Sequence, residues 1–117
     1  NGKRIPFSED FFLTLRQIEE MELHRTQYNA IIRNIANNHP NIALWDADKD
    51  FDKLKEGNAG VIARGFIEGS IYSFDGMYLT PRGNAWVANQ FIKTINENFD
   101  AAIPEIDIYH YNGLELE

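Results

Sequence analysis

The stretch Phe74-Asp75-Gly76-Met77-Tyr78-Leu79-Thr80-Pro81-Arg82-Gly83-Asn84-Ala85-Trp86-Val87-Ala88-Asn89 decides how this chain is read. Asp75-Gly76 has the composition of a turn. Thr80-Pro81 reads as the N-cap and first residue of a helix, because Pro fixes φ and needs no amide donor there. The predicted helix covers residues 81–99: Ala85, Ala88, Phe91, Ile92, Ile95 and Phe99 form an apolar stripe opposite Lys93, Asn96 and Glu97. Gly83, Ala85 and Ala88 are small enough for another backbone to come close. A loop therefore delivers an aspartate to a helix mouth.

Toward the N-terminus, residues 8–38 have helical periodicity. Phe11, Leu15, Ile18, Met21, Tyr28, Ile32 and Ile35 recur at steps of three, four or seven. Ser8 is the expected N-cap, with Glu9 and Asp10 in the first turn, and His39-Pro40 the expected stop. The polar segment Glu19–Gln27 leaves open a break in this helix. Residues 41–46, Asn-Ile-Ala-Leu-Trp-Asp, read as a buried strand. Asp48 would cap a short helix over 48–56 that stops at Gly57. Residues 57–74 mix Gly60, Gly65 and Gly69 with Val61, Ile62, Phe66, Ile67, Ile71 and Tyr72, which suits short strands or loops. The tail, 101–117, is expected to lie extended over the surface.

Composition narrows the function. With 11 Lys and Arg against 18 Asp and Glu, the net charge is −7, and no basic face exists for nucleic acid. No apolar run is long enough to span a membrane. The absence of cysteine excludes a disulfide framework and a thiolate metal site while leaving the compartment open. The start, Asn1-Gly2-Lys3-Arg4-Ile5-Pro6, carries neither an initiator Met nor a signal pattern, which fits a piece of something longer, a trimmed chain or a processed terminus.

Other motifs have bland readings. Asp46-x-Asp48-x-Asp50 resembles the start of a calcium loop, but Phe51 and Gly57 stand where an EF-hand needs Gly and a bidentate Glu. The glycines match neither a dinucleotide fingerprint nor a phosphate-binding loop. His24, His39 and His110 are too scattered to predict a metal site, and no cofactor is expected.

The opening block resembles the last conserved block of the SGNH (GDSL-like) lipases, esterases and acylhydrolases, D-G-x-H-x-T-x-x-G-x-A-x-x-A-N. Asp75, Gly76, Thr80, Gly83, Ala85, Ala88 and Asn89 fit it, whereas Tyr78 stands at the His position. Tyr28-Asn29 with Ile32 and Ala36, Trp45-Asp46 with Phe51, and Phe91-Ile92-Lys93-x-Ile95-Asn96 followed by Ala102-x-Pro104 are similar to further stretches of the bacterial secreted or lipoprotein-type members. The resemblance implies an α/β class, with this chain the helix-rich C-terminal portion of a flavodoxin-like, three-layer SGNH domain. It also implies a periplasmic or cell-surface setting, and an acyl ester or acylated glycan or lipid as the complete protein's ligand.

By that resemblance Asp75 is a relic of the triad acid and Tyr78 occupies the general-base position. The family's Gly-Asp-Ser nucleophile block and its Gly-x-Asn-Asp oxyanion block are both missing here. Without nucleophile and oxyanion donors the largest rate contributions vanish, so this segment is expected to be inert by itself. A phenol, with an ordinary pKa near ~10, donates a proton where an imidazole would accept one. His110 folding back, or a Ser–Asp arrangement, would be the ways round that loss. Two further readings remain: a catalytically inactive SGNH-like binding domain with Tyr78 and Trp86 as contact surface, and an independent acidic helical interaction domain. Self-association, the chain's own tail or a missing N-terminal part is expected to cover the open edge of the 41–46 strand.

Overall fold

The computed structural model describes residues 12–55 and 70–115. The chain divides into two compact units, Asn1–Ile42 and Ala43–Glu117.

The first unit is built on α1, Leu15–Asn37. Its N-cap is Thr14; the expected cap, Ser8, lies outside the described residues. Thr14 Oγ1 accepts from Gln17 N at 3.3 Å and Gln17 Oε1 accepts from Thr14 N at 2.8 Å, the reciprocal pair of a capping box. The helix runs unbroken through Glu19–Gln27, where Glu22 pairs with Arg25 one turn on. At the C-terminus, Asn38 caps with its backbone N–H, and its Nδ2 donates to Asn34 O at 2.7 Å. No residue of α1 is buried.

The second unit contains α2 (Ala47–Lys55), α3 (Pro81–Phe99) and a 3-10 turn at Ile108–His110. Asp46 takes the capping role expected of Asp48, its Oδ1 accepting from Lys49 N at 3.3 Å. Aromatic rings cluster here: Trp45–Phe91 at 5.0 Å, Phe51–Trp86 at 5.2 Å and Trp45–Trp86 at 6.1 Å between centroids meet edge-on, and Phe51–Tyr72 at 6.1 Å is tilted. Such geometry sets the positive edge of one ring against the negative face of the next. Trp45 Nε1 also donates to Asp50 Oδ2 at 2.9 Å, so its polar atom is satisfied inside the cluster.

The α/β expectation is overturned. Among the described residues there is no strand or sheet, only an isolated antiparallel bridge between Tyr72 and Leu79. The flavodoxin-like, three-layer architecture therefore does not hold for this segment, and residues 41–46 present no strand edge to cover. The run predicted as a strand makes local bonds instead: Ile42 N donates to His39 O and Ala47 N to Trp45 O, both at 3.0 Å. An apolar run specifies burial, whereas a ladder needs a neighbouring strand to receive its amides. Of this run, Trp45 packs on Phe51 of α2 and on Trp86 and Phe91 of α3, while Ile42 and Leu44 stay exposed.

Close approach at one glycine joins the 70–80 segment to α3. A Cβ on Gly83 would lie 2.3 Å from the carbonyl oxygen of Ile71, a side chain that is itself fully buried. The tail then returns along α3. Asn96 exchanges two bonds with the backbone of Ile103, both at 2.9 Å, and Asn89 two with Ile106, at 2.8 and 2.7 Å. Seven residues apart, these asparagines lie on one face and act as paired amide clamps, supplying the donor and acceptor that a neighbouring strand would give. Further along, Arg82 N donates to Asn112 O and Leu114 N to Ser70 O.

Candidate functional site

The Asp75 turn is built by its own backbone. Gly76 has a positive φ of 68° and its N–H donates to Ser73 O at 3.0 Å, a geometry that glycine adopts without steric cost. Ser73 N donates to Tyr78 O at 2.9 Å, and the Tyr72–Leu79 bridge closes the loop behind it. Three donors converge on Asp75 Oδ1: Ser73 Oγ at 2.6 Å, and the amides of Met77 and Tyr78, each at 2.9 Å. The Ser73 hydroxyl foremost, then the Tyr78 and Met77 amides, hold the carboxyl below the usual carboxylate range.

The loop is placed by the helix that follows it. Thr80 Oγ1 accepts from Gly83 N at 3.2 Å and donates to Ser70 O at 3.1 Å, so one buried hydroxyl caps α3 and ties it to the start of the loop. Thr80 N completes the tie by donating to Ile71 O at 2.8 Å. Asp75 therefore stands as an oriented anion with one oxygen fully engaged by the turn and the other taking none of those three bonds.

Tyr78 joins Asp75 through its main chain, and its side chain is 70 % exposed. Phe74 and Met77, at 64 % and 76 %, surround the acid with open apolar surface. Trp86, by contrast, is only half-buried within the ring cluster, where it packs on Trp45 and Phe51.

The histidines do not come together. His24 stacks on Tyr28, and His39 Nδ1 sits 2.7 Å from Ile35 O. His110, considered above as a substitute base, pairs instead with Asp107 in its own turn, Nδ1 to Oδ2 at 2.9 Å. Asp107 Oδ1 accepts from Tyr109 N at 3.0 Å, so that carboxylate is occupied on both oxygens. Of the Asp46-x-Asp48-x-Asp50 string, Asp46 caps α2 and Asp50 binds Trp45 and Lys53. Partial burial pushes the Asp50 carboxyl up, but the bonds from Lys53 and Trp45 and the Lys53 charge outweigh it and leave the group below its usual range. Among the described residues, no group of three His, Asp or Glu side chains is placed to hold a metal ion. None of their helices is long and apolar enough to cross a membrane.

Sequence reasoning missed the tail groove, about 280 Å³, between Trp86, Asn89 and Lys93 of α3 and Glu105, Asp107 and Tyr109 of the tail. The spacing of Asn89 and Asn96 was the available signal, because amides seven apart on a helix face can serve one passing chain. No family model, curated protein or solved structure matches the chain.

Proposed function

We propose that this chain is the C-terminal segment of a GDSL-like lipase/acylhydrolase acting on ester bonds, inert by itself because the serine nucleophile block is absent and Tyr78 replaces the histidine. The observation that supports this reading best is the Asp75 turn. An aspartate within three residues of the base position is held ionised by three donors on one oxygen, at the mouth of a helix capped by Thr80. A triad acid must stay ionised and fixed in direction so that it can orient an imidazole and stabilise its charged form. In this chain the group to be oriented is a phenol, and the ordinary proton relay is lost.

A second reading takes the same loop as a binding element. Phe74, Met77 and Tyr78 present exposed apolar and aromatic surface around a fixed anion, suited to contact with an acyl chain or glycan without chemistry. Labelling with a fluorophosphonate, which reacts with activated serines, separates the two. The Tyr78→His variant of the longest natural chain containing this segment is expected to label, and this segment alone to remain unlabelled. A variant chain that stays unlabelled while still retaining acylated ligand would overturn the hydrolase reading in favour of binding.

A further inference from the structure

We infer that α1 pairs antiparallel with α1 of a second copy of this chain. The inference rests on the first unit alone and is independent of the ester reading.

A helix of 23 residues, about 35 Å long, buries none of its side chains here. Helices in proteins owe most of their stability to packing of an apolar face, and isolated ones are marginal, so this one calls for cover. Ile18, Met21, Arg25, Tyr28, Ile32 and Ile35 follow a strict alternation of three and four, the spacing of a coiled-coil seam. Reversing the chain direction maps the seam onto itself: Ile18 meets the partner's Ile35, Met21 the partner's Ile32, and Arg25 the partner's Tyr28. Apolar layers thus close both ends, and a guanidinium faces an aromatic ring at the centre. A parallel pair would instead stack Arg25 on the partner's Arg25, which like charge disfavours.

The surface has the shape such a pairing needs. A groove of about 450 Å³ runs between Met21, His24, Arg25 and Tyr28, with Asn29 on its rim. Those four residues stand at i, i+3, i+4 and i+7, the four corners of a hole that receives one side chain from a facing helix. In the antiparallel register the entering side chain is the partner's Tyr28. His24, stacked on Tyr28 with ring centroids 6.3 Å apart, forms one wall.

The absence of cysteine makes the register directly testable. Ile18→Cys and Ile35→Cys variants are oxidised separately and as a mixture, with circular dichroism confirming that both stay folded. The expected result is a mixed disulfide in excess of either homodisulfide, and a wild-type mass in sedimentation of twice the 13.5 kDa chain. A homodisulfide of Ile18→Cys formed as readily as the mixed one would replace the antiparallel pairing with a parallel one. A monomeric wild-type chain that cross-links in no combination would overturn the inference and assign the face to a different partner.

Discussion

Replacing Gly83 with alanine tests the packing that places the candidate site. The added Cβ would lie 2.3 Å from Ile71 O and 3.1 Å from both the carbonyl carbon and Cβ of Ile71. Comfortable contact lies near ~3.5 Å, so the two backbones must separate by about 1 Å. Ile71 is fully buried, and its carbonyl accepts the Thr80 amide, so it cannot retreat without loosening the cap of α3. Overpacking costs about 1–3 kcal/mol and a weakened cap about 1 kcal/mol more. Against this, alanine gains at most about 1 kcal/mol over glycine in a helix. The expected net loss is about 1–3 kcal/mol, with a fall in Tm of roughly 4–8 °C for each kcal/mol in a unit of this size. Thermal melts of Gly83→Ala beside Asn84→Ala, an exposed neighbour on α3, supply the assay. Asn84→Ala is expected to hold or gain a few tenths of a kcal/mol. A Gly83→Ala chain that melts higher than wild type would refute the close approach.

Three other perturbations bear on separate parts of the second unit. Asn89→Leu removes both bonds to Ile106 and strands its N–H and C=O, at a cost of about 1–3 kcal/mol; hydrogen exchange is expected to accelerate at Ile106 N, and unchanged protection would contradict the clamp. Trp45→Phe keeps most of the ring packing but removes the donor to Asp50, so a loss of about 1 kcal/mol is expected in denaturant melts, well short of the roughly 3–5 kcal/mol for Trp45→Ala. The folded turn depresses the Asp75 pKa, so its stabilising contribution is present above the ordinary carboxylate value near ~3.9 and is lost as pH falls through the lower folded value. Carboxyl titration by NMR should show that lower midpoint moving up in Ser73→Ala, whose hydroxyl is the strongest influence, and an unmoved midpoint would contradict the assignment.

What could be read from the sequence followed how local the cause was. Thr80-Pro81 marks the start of α3 because cap and ring act within one turn, and the helix stripe carries on to Phe99. The Asp75-Gly76 turn was legible for the same reason. Asp46 and Asp48 are equally good caps by type, and only the approach of the chain through Trp45 selects Asp46. Residues 41–46 were misread because an apolar run becomes a buried strand only where a neighbour receives its amides; here only Trp45 finds ring packing, and Ile42 and Leu44 stay exposed. The Trp45–Phe91 and Phe51–Trp86 contacts span tens of residues, and periodicity within one element cannot foresee them. Nor could spacing say that His110 would be taken by Asp107.

By the proposed function Tyr78 stands at the base position of an ester hydrolase, beside Asp75 as the relic of its triad acid. Turnover of a short-chain aryl ester by the longest natural chain containing this segment, with and without Tyr78→His, tests it most directly. The expected result is a rise of about tenfold or more in the variant, roughly 1.4 kcal/mol of barrier, abolished again by adding Asp75→Asn. Wild-type turnover that neither substitution alters would contradict the claim.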